Sequence, residues 1–518
     1  MVARNEKLNP AAVGHLTCQF DNKPLHPGIT RTPITKQARK PTMAWLTCSS
    51  LTMKTVMTCP SPRLTVSTTT GLSSSNIDRV NAIITIMRER LIRHFEIDIR
   101  RTSIFREFVA GLTTYITMAY IVVINPTMMA QAGMNYGASF TATCLAAALA
   151  TFAMGIVANW PVALAPGVGL SAFFTFTVVG ELGYSWQVAL GSVFLSSILF
   201  IVISLTPLRK WILASIPVNL RFAIAAGIGI FIGFIGLRNS GIVVSDSASY
   251  VSLGDLATAE TFLGLLGFLL ITVLSIRRIP GAIILGIASI TGVAVALGKV
   301  EYSGWVAQPP SLAPVFLELD ISGAMNVGMI TVVLAFLFVN LFDTAGTLFA
   351  VADSAKLTDK NNEITNLNVA LRTDSVSSLV GTFLGCAPVT SYVESSAGVS
   401  AGGRTGLTAV FTALFFCITI FISPLTSLVP PYATAGALIY VSMIMLSGLQ
   451  NLDWHDHSEL IPALITVIMI PMSFSIADGI AIGFISFAVI KTFTGKFRQV
   501  SFVAWALTVL FALKFVYI

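Results

Sequence analysis

Charge is what this chain has least of. Only 11% of its 518 residues are Asp, Glu, Lys or Arg, whereas a soluble domain carries about 25%. No polar linker follows residue 107, so a soluble enzyme of several domains is excluded. Cysteine is scarce as well. None of the 6 cysteines pairs with another at the spacing of a disulfide framework or a zinc site. Cys144, Cys386 and Cys417 lie in apolar surroundings and read as packing residues. Three catalytic signatures are missing: His-Glu-x-x-His, Gly-x-Ser-x-Gly and the P-loop. The chain therefore does not read as an enzyme, and an ATP-driven pump would lack its phosphate-binding domain.

Apolar residues are what the chain has in quantity, at 55%. Runs long enough to cross a ~30 Å hydrocarbon core recur at 108–128, 185–206, 217–236, 327–350 and 405–423. The net charge of +7 belongs to the first 86 residues, which hold ten Lys and Arg against three acids; the remainder carries twenty-one of each. A nucleic-acid role needs a basic face on a folded domain, and the neutral body offers none. Residues 1–86, rich in Ser, Thr and Pro, read as a disordered or spurious extension. Met87 then opens a basic amphipathic lead-in over 87–107. A first membrane repeat is expected over 108–300 and a second over 325–494. A carboxy-terminal segment, 495–518, contains one more apolar stretch at 501–517.

Basic residues between the spans set the orientation. With the amino terminus cytoplasmic, the inner loops carry Arg209, Lys210, Arg277, Arg278, Lys356, Lys360, Arg372 and Arg404, followed by Lys491, Lys496 and Arg498. Outer loops carry Arg238 and Lys299 among acids such as Asp246, Asp255, Glu318 and Asp320. The loop from Asn451 to Glu459 fits less well, being inside yet acidic. Its Asp453-Trp-His455-Asp-His457-Ser-Glu459 run has ligand types suited to zinc, but no distant partner, and no metal is expected. The pattern suits a multi-pass protein of a bacterial inner membrane or a eukaryotic plasma membrane.

Two carboxylates stand out against this background. Asp343 and Glu394 lie mid-way along apolar stretches, where a charge costs roughly 2.5–3.5 kcal/mol and usually lines a pathway. Glu394 belongs to Gly385-Cys-Ala-Pro388-Val-Thr-Ser391-Tyr-Val-Glu394-Ser-Ser-Ala-Gly398, too broken to span as one helix. Pro161-Val-Ala-Leu-Ala-Pro166-Gly-Val-Gly169-Leu-Ser171-Ala-Phe-Phe174 is interrupted similarly in the other half. Paired broken segments point to a transporter site. Blander readings stand beside each residue. Ser391-x-x-Glu394 fits a capping box, Asp343 could join two helices, and Asp374 reads as interfacial at the start of a span. Gly227, Gly229, Gly233 and Gly236 read as helix-packing positions.

Leu341-Phe-Asp343-Thr-Ala-Gly346-Thr-Leu, Thr390-Ser391-Tyr-Val-Glu394-Ser-Ser-Ala-Gly398 and Ala401-Gly-Gly-Arg404-Thr-Gly-Leu-Thr-Ala follow one another in order. Together they resemble the azaguanine-resistance-like purine permeases, a branch of the nucleobase–cation symporters. Ala165-Pro-Gly-Val-Gly-Leu-Ser171-Ala-Phe-Phe resembles that family's third-span motif, and the resemblance covers roughly residues 100–498. It implies an all-α polytopic membrane protein: about fourteen transmembrane segments in two inverted seven-segment repeats, with two broken half-helix segments, a core and a gate. It also implies proton-coupled uptake of purine bases, the proton being the coupling ion and no cofactor being needed, and a homodimer. By the resemblance, Asp343 and Glu394 bind substrate or carry the proton, with Ser171, Gly169, Ser391 and Thr390 completing the substrate site. One departure is visible: the family's usual Gly-Leu-Asn reads Gly169-Leu170-Ser171 here, and Ser replaces an amide donor and acceptor by one hydroxyl.

The chemistry is coherent on its own terms. A purine presents N–H donors that a carboxylate can accept, through charge-assisted bonds about twice as strong as neutral ones. One proton moving down 100 mV supplies about 2.3 kcal/mol. Half-helix N-termini near Gly169 and Ser391 would add N–H donors, and Phe173, Phe174 or Tyr392 could stack on the base. Two alternatives remain: an anion transporter of similar architecture, which should favour a cation at the half-helices, and a membrane-embedded enzyme or ligand sensor.

Overall fold

Proline and glycine break an otherwise helical chain twice, and the breaks organise the rest. The computed structural model describes residues 92–206, 217–300, 304–357 and 364–517, with Thr85, Glu89 and Arg90. The extension at 1–86, Thr85 apart, the start at Met87 and the basic residues Arg209, Lys210 and Lys360 lie outside the described residues.

The first half contains α1 (Ile104–Met118) and α2 (Ile121–Gln131), which together make one span, then α3 (Tyr136–Ala153). Strand β1 (Leu164–Pro166) and helix α4 (Val168–Ala172), extended by a looser π-helical stretch to Glu181, form the broken third segment. Helices α5 (Trp186–Leu205), α6 (Val218–Asn239), α7 (Ala259–Ile276) and α8 (Ala282–Ala296) follow, with an exposed hairpin of β2 (Val243–Asp246) and β3 (Tyr250–Leu253) between α6 and α7.

The second half repeats this order. It runs through α9 (Val327–Ala355) and α10 (Leu367–Phe383), then β4 (Val389–Ser391) with α11 (Ser395–Ser400). Next come α12 (Gly406–Thr419), α13 (Pro431–Leu446), α14 (His457–Met472) and α15 (Ile476–Phe493). Counting each strand with its helix as one segment, both halves supply seven. Among the described residues, 9 helices are long and apolar enough to cross a membrane.

Local chemistry explains where spans begin. Ser103, Asn135, Ser185, Thr258, Thr405 and Ser475 each accept a hydrogen bond from a backbone N–H two or three residues on, satisfying donors a helix start leaves free. The first span is interrupted at Ala119-Tyr120, and Pro126 sits inside α2, where it removes a helical hydrogen bond.

Helices pack in two sets. One comprises α1 to α5 with α9 to α12; the other comprises α6 to α8 with α13 to α15. Small residues set the closest approach in the second: Gly236 on α6 lies so near α13 that a Cβ there would meet Ala435 O at 2.9 Å. Residues 501–517 form a further helix, α16 (Phe502–Tyr517), packed on α15 through Phe511 and Phe484, with ring centroids 5.9 Å apart.

Candidate functional site

The two broken segments meet. Strands β1 and β4 pair antiparallel, Leu164 with Ser391, Ala165 with Thr390 and Pro166 with Val389. Gly167 N–H donates to Pro388 O and Tyr392 N–H to Ala163 O, both at 3.0 Å, extending the ladder at its two ends. Non-helical backbone at membrane depth is tolerated only where protein satisfies it, and each strand does this for the other. Thr151 on α3 completes the arrangement, bonding both N–H and C=O of Leu164 at 2.9 Å. Prolines 161, 166 and 388 keep the segments extended.

Glu394 heads α11 directly after β4. Its carboxylate accepts the Tyr120 hydroxyl at 2.6 Å, from the break in the first span. The capping-box alternative does not form: Glu394 is itself the N-cap residue, and its side chain makes no capping bond. Asp343 stands near the middle of α9, surrounded by protein, yet its side chain reaches solvent-accessible space. It faces the Thr390 hydroxyl and lies within electrostatic reach of Glu394. One turn on, Gly346 borders open space, with nothing within 4 Å of where its Cβ would be. Asp343 thus has the Thr390 hydroxyl and Glu394 on one side and open space one turn away.

Asp374 is more enclosed by protein than the interfacial expectation implied. It is fully buried in the middle of α10, accepting the Thr344 hydroxyl at 2.7 Å and the Ser391 hydroxyl at 3.4 Å. Thr344 also bonds Thr390 at 3.0 Å. Asp374 thus ties α9, α10 and β4 together behind Asp343. A carboxylate flanked by Thr373 and Ser375 in a helix of the second repeat was the available signal.

Of the other expected residues, Thr390 and Ser391 sit in β4 beside the carboxylates. Ser171 is fully buried and donates to Asn125 Oδ1 at 2.6 Å; Asn125 in turn donates to Thr143 at 2.8 Å. The buried amide beside Ser171 therefore comes from α2. Gly169 faces α6, where a Cβ would meet Ile228 Cγ2 at 2.8 Å, so its smallness serves close packing. Phe173 pairs with Phe336 at 4.7 Å, and Tyr392 donates to Pro166 O. Helix α11 has only 6 residues, so its dipole is short and its N-terminus adds less than a long half-helix would.

Sequence reasoning passed over Glu107 as well. This carboxylate is fully buried on α1. It accepts the Thr102 hydroxyl at 2.8 Å, Arg404 N–H at 3.0 Å, Thr405 N–H at 3.3 Å and the Thr408 hydroxyl. The loop that follows α11 is thereby fixed to α1. The acidic loop at Asn451–Glu459 is compensated too. Lys491, fully buried on α15, pairs with Glu459 at 3.1 Å and Asp456 at 3.5 Å, and Lys496 pairs with Asp456 at 3.2 Å. The Ser458 hydroxyl, followed by its N–H and the two lysines, holds the Asp456 carboxyl well below the usual carboxylate range.

Two inverted sets of seven segments, broken helices joined by a strand bridge and carboxylates gathered at that bridge define a membrane transporter. The Permease family profile matches residues 105–482. The adenine permease AdeP of Escherichia coli is 46% identical over 426 residues, covering 82% of this chain and 96% of that protein. The guanine/hypoxanthine permease PbuO of Bacillus subtilis is 41% identical over 429 residues, covering 81% and 98%. The transmembrane domain of the cyanobacterium bicarbonate transporter BicA shares the fold at a TM-score of 0.54 and 15% identity, covering 72% of this chain and 96% of that one. This chain belongs to the xanthine/uracil permease family.

Proposed function

We propose that this permease takes up purine nucleobases together with protons. The observation that carries the reading is the placement of Asp343 and Glu394 within electrostatic reach of each other at the meeting of the broken segments. A purine ring offers several N–H groups along a flat edge, and two carboxylates with the Thr390 hydroxyl complement such an edge. Relatives named for adenine and for guanine and hypoxanthine support this substrate class.

In the proposed cycle, Asp343 and Glu394 accept N–H donors of the base, and Glu394 carries the proton. Tyr120 orients the Glu394 carboxylate through its 2.6 Å hydrogen bond. Asp374 braces Thr344 and Ser391 behind the site. A proton bound at an intramembrane carboxylate removes the cost of moving an uncompensated charge, which couples its movement to that of the base.

The fold itself also serves a bicarbonate transporter, but carboxylates and hydroxyls on β4, α9 and α10 suit a neutral N–H donor better than an anion. We place the amino terminus in the cytoplasm, because Lys356, Arg372, Arg404 and Lys491 follow the inner side of the alternation. A homodimer in a bacterial inner or eukaryotic plasma membrane completes the proposal.

The test is uptake of labelled hypoxanthine, guanine, adenine and uracil in cells lacking their own purine permeases, with and without a protonophore. Accumulation of a purine, abolished by the protonophore, is expected. Absence of accumulation of every base, with the protein present in the membrane, would overturn the purine reading. A membrane sensor would bind a base without accumulating it.

A further inference from the structure

We propose that the groove between α3 and α10 binds an anionic glycerophospholipid, its phosphate on Arg372 and an ester carbonyl on Ser377. The groove measures about 490 Å³ and lies on the outer face of both helices. Leu149, Val157, Val376 and Val380 form its apolar walls, and all four are substantially exposed. Ala153 keeps the floor low. On a helix pair read as membrane-spanning, this apolar depression faces acyl chains.

Two polar groups interrupt it. Arg372 lies in the second turn of α10, exposed, and its guanidinium has no hydrogen-bond or ion-pair partner among the described residues. Ser377 is 5% exposed, lines the groove, and its hydroxyl has no partner among the described residues. A buried polar group normally finds a partner, so an unpaired hydroxyl opening into a groove is a position for a ligand atom. Five residues separate the two groups, about 7.5 Å along the helix at 1.5 Å per residue. That is comparable to the separation of a lipid phosphate from its glycerol ester carbonyls.

The charge selects the lipid. Arg372 is the sole ionised group among the lining residues, and no acid among them receives a choline or ethanolamine ammonium. A guanidinium presents a planar fork of donors to a phosphate. Arg372 stands at the end of the helices where His94 bonds Ile156 O and Arg100 bonds Arg404 O, the end placed at the cytoplasmic boundary. Headgroup on Arg372 and chains along Leu149 and Val380 therefore match the direction of a lipid in the inner leaflet. Asp374 lies two residues from Arg372 on the same helix and bonds inward to α9 and β4. A lipid in the groove would thus steady the helix that braces the transport site.

The test uses the full chain in nanodiscs containing a photoactivatable phosphatidylglycerol or a phosphatidylcholine with identical chains. Labelled peptides are located by mass spectrometry. Phosphatidylglycerol is expected to label 149–157 and 372–380 about fivefold more than phosphatidylcholine, the factor one arginine contributes near an anionic surface. Arg372→Gln should abolish that preference, Arg372→Lys should retain part of it, and Val376→Trp, which fills the groove, should suppress labelling by both lipids. Equal labelling by the two lipids in the wild type would overturn the proposal. So would a preference that survives Arg372→Gln, or labelling displaced by inorganic phosphate, which would indicate a simple anion site. Binding is read without transport, so failure here is separable from failure of the purine reading.

Discussion

Gly398 is where packing and transport can be separated most sharply. It sits in α11, four residues after Glu394, against α1. A Cβ at Gly398 would overlap Thr114 Oγ1 and stand 2.7 Å from Ala110 O. Ordinary contacts begin near 3.5 Å, so Gly398→Ala must push α11 away from α1 by about 1 Å. Overpacking of this kind costs about 1–3 kcal/mol. The displacement also moves the helix that Glu394 heads, and a 1 Å misplacement at a binding centre can cost about a hundredfold. Uptake at subsaturating base should fall by roughly that factor, with the protein still folded in the membrane. Thr114→Ala alone should be close to neutral, since Thr114 Oγ1 is buried without a hydrogen-bond partner. Combined with Gly398→Ala it should restore part of the uptake, the Ala110 carbonyl contact being left. Wild-type uptake by Gly398→Ala would refute the reasoning, as would the absence of any rescue.

Glu107→Gln should lower thermal stability in detergent, because the amide turns donors toward Thr405 N–H and the Thr408 hydroxyl; one unsatisfied buried donor costs about 1–3 kcal/mol, and an unchanged Tm would contradict this. Tyr120→Phe removes a hydrogen bond to a carboxylate, valued at about 1.5–3 kcal/mol, and should reduce uptake about tenfold or more at unchanged protein level; full activity would show that Tyr120 does not orient Glu394. Asp456, held low by Ser458 and the lysines, contributes stability that is fully present above its unfolded value near 3.9 and is lost as pH falls below it. Asp456→Asn should flatten the loss of thermal stability on acidification below about pH 4, and an unaltered acid profile would contradict the assignment.

Much of the architecture was legible in the sequence because lipid imposes simple rules. Apolar length marks Trp186–Leu205 or Val218–Asn239 as spans regardless of partners, and Pro161, Pro166 and Pro388 mark the breaks. Asp343 and Glu394 declared themselves as charges in apolar surroundings. What could not be read was pairing across distance. The β1–β4 bridge joins residues more than two hundred positions apart, and neither three-residue strand has a period long enough to show. Tyr120 and Asn125 look like ordinary residues of a first span until the break at Ala119-Tyr120 turns them toward Glu394 and Ser171. Asp374 reads as interfacial from its place at the start of a span; the contacts with Thr344 and Ser391 that bury it come from elements a sequence does not show as neighbours. The pairing of Lys491 and Lys496 with the acidic loop at Asp456 and Glu459 was equally invisible in the sequence.

The most direct test of the central claim is binding of a purine base to the purified protein, measured by calorimetry for wild type, Asp343→Asn and Glu394→Gln alongside each variant's Tm. The account predicts saturable binding by the wild type, loss of binding in both variants and Tm values that remain close together. Binding that survives both substitutions would contradict it, because the base would then be held somewhere other than the meeting point of the two broken segments.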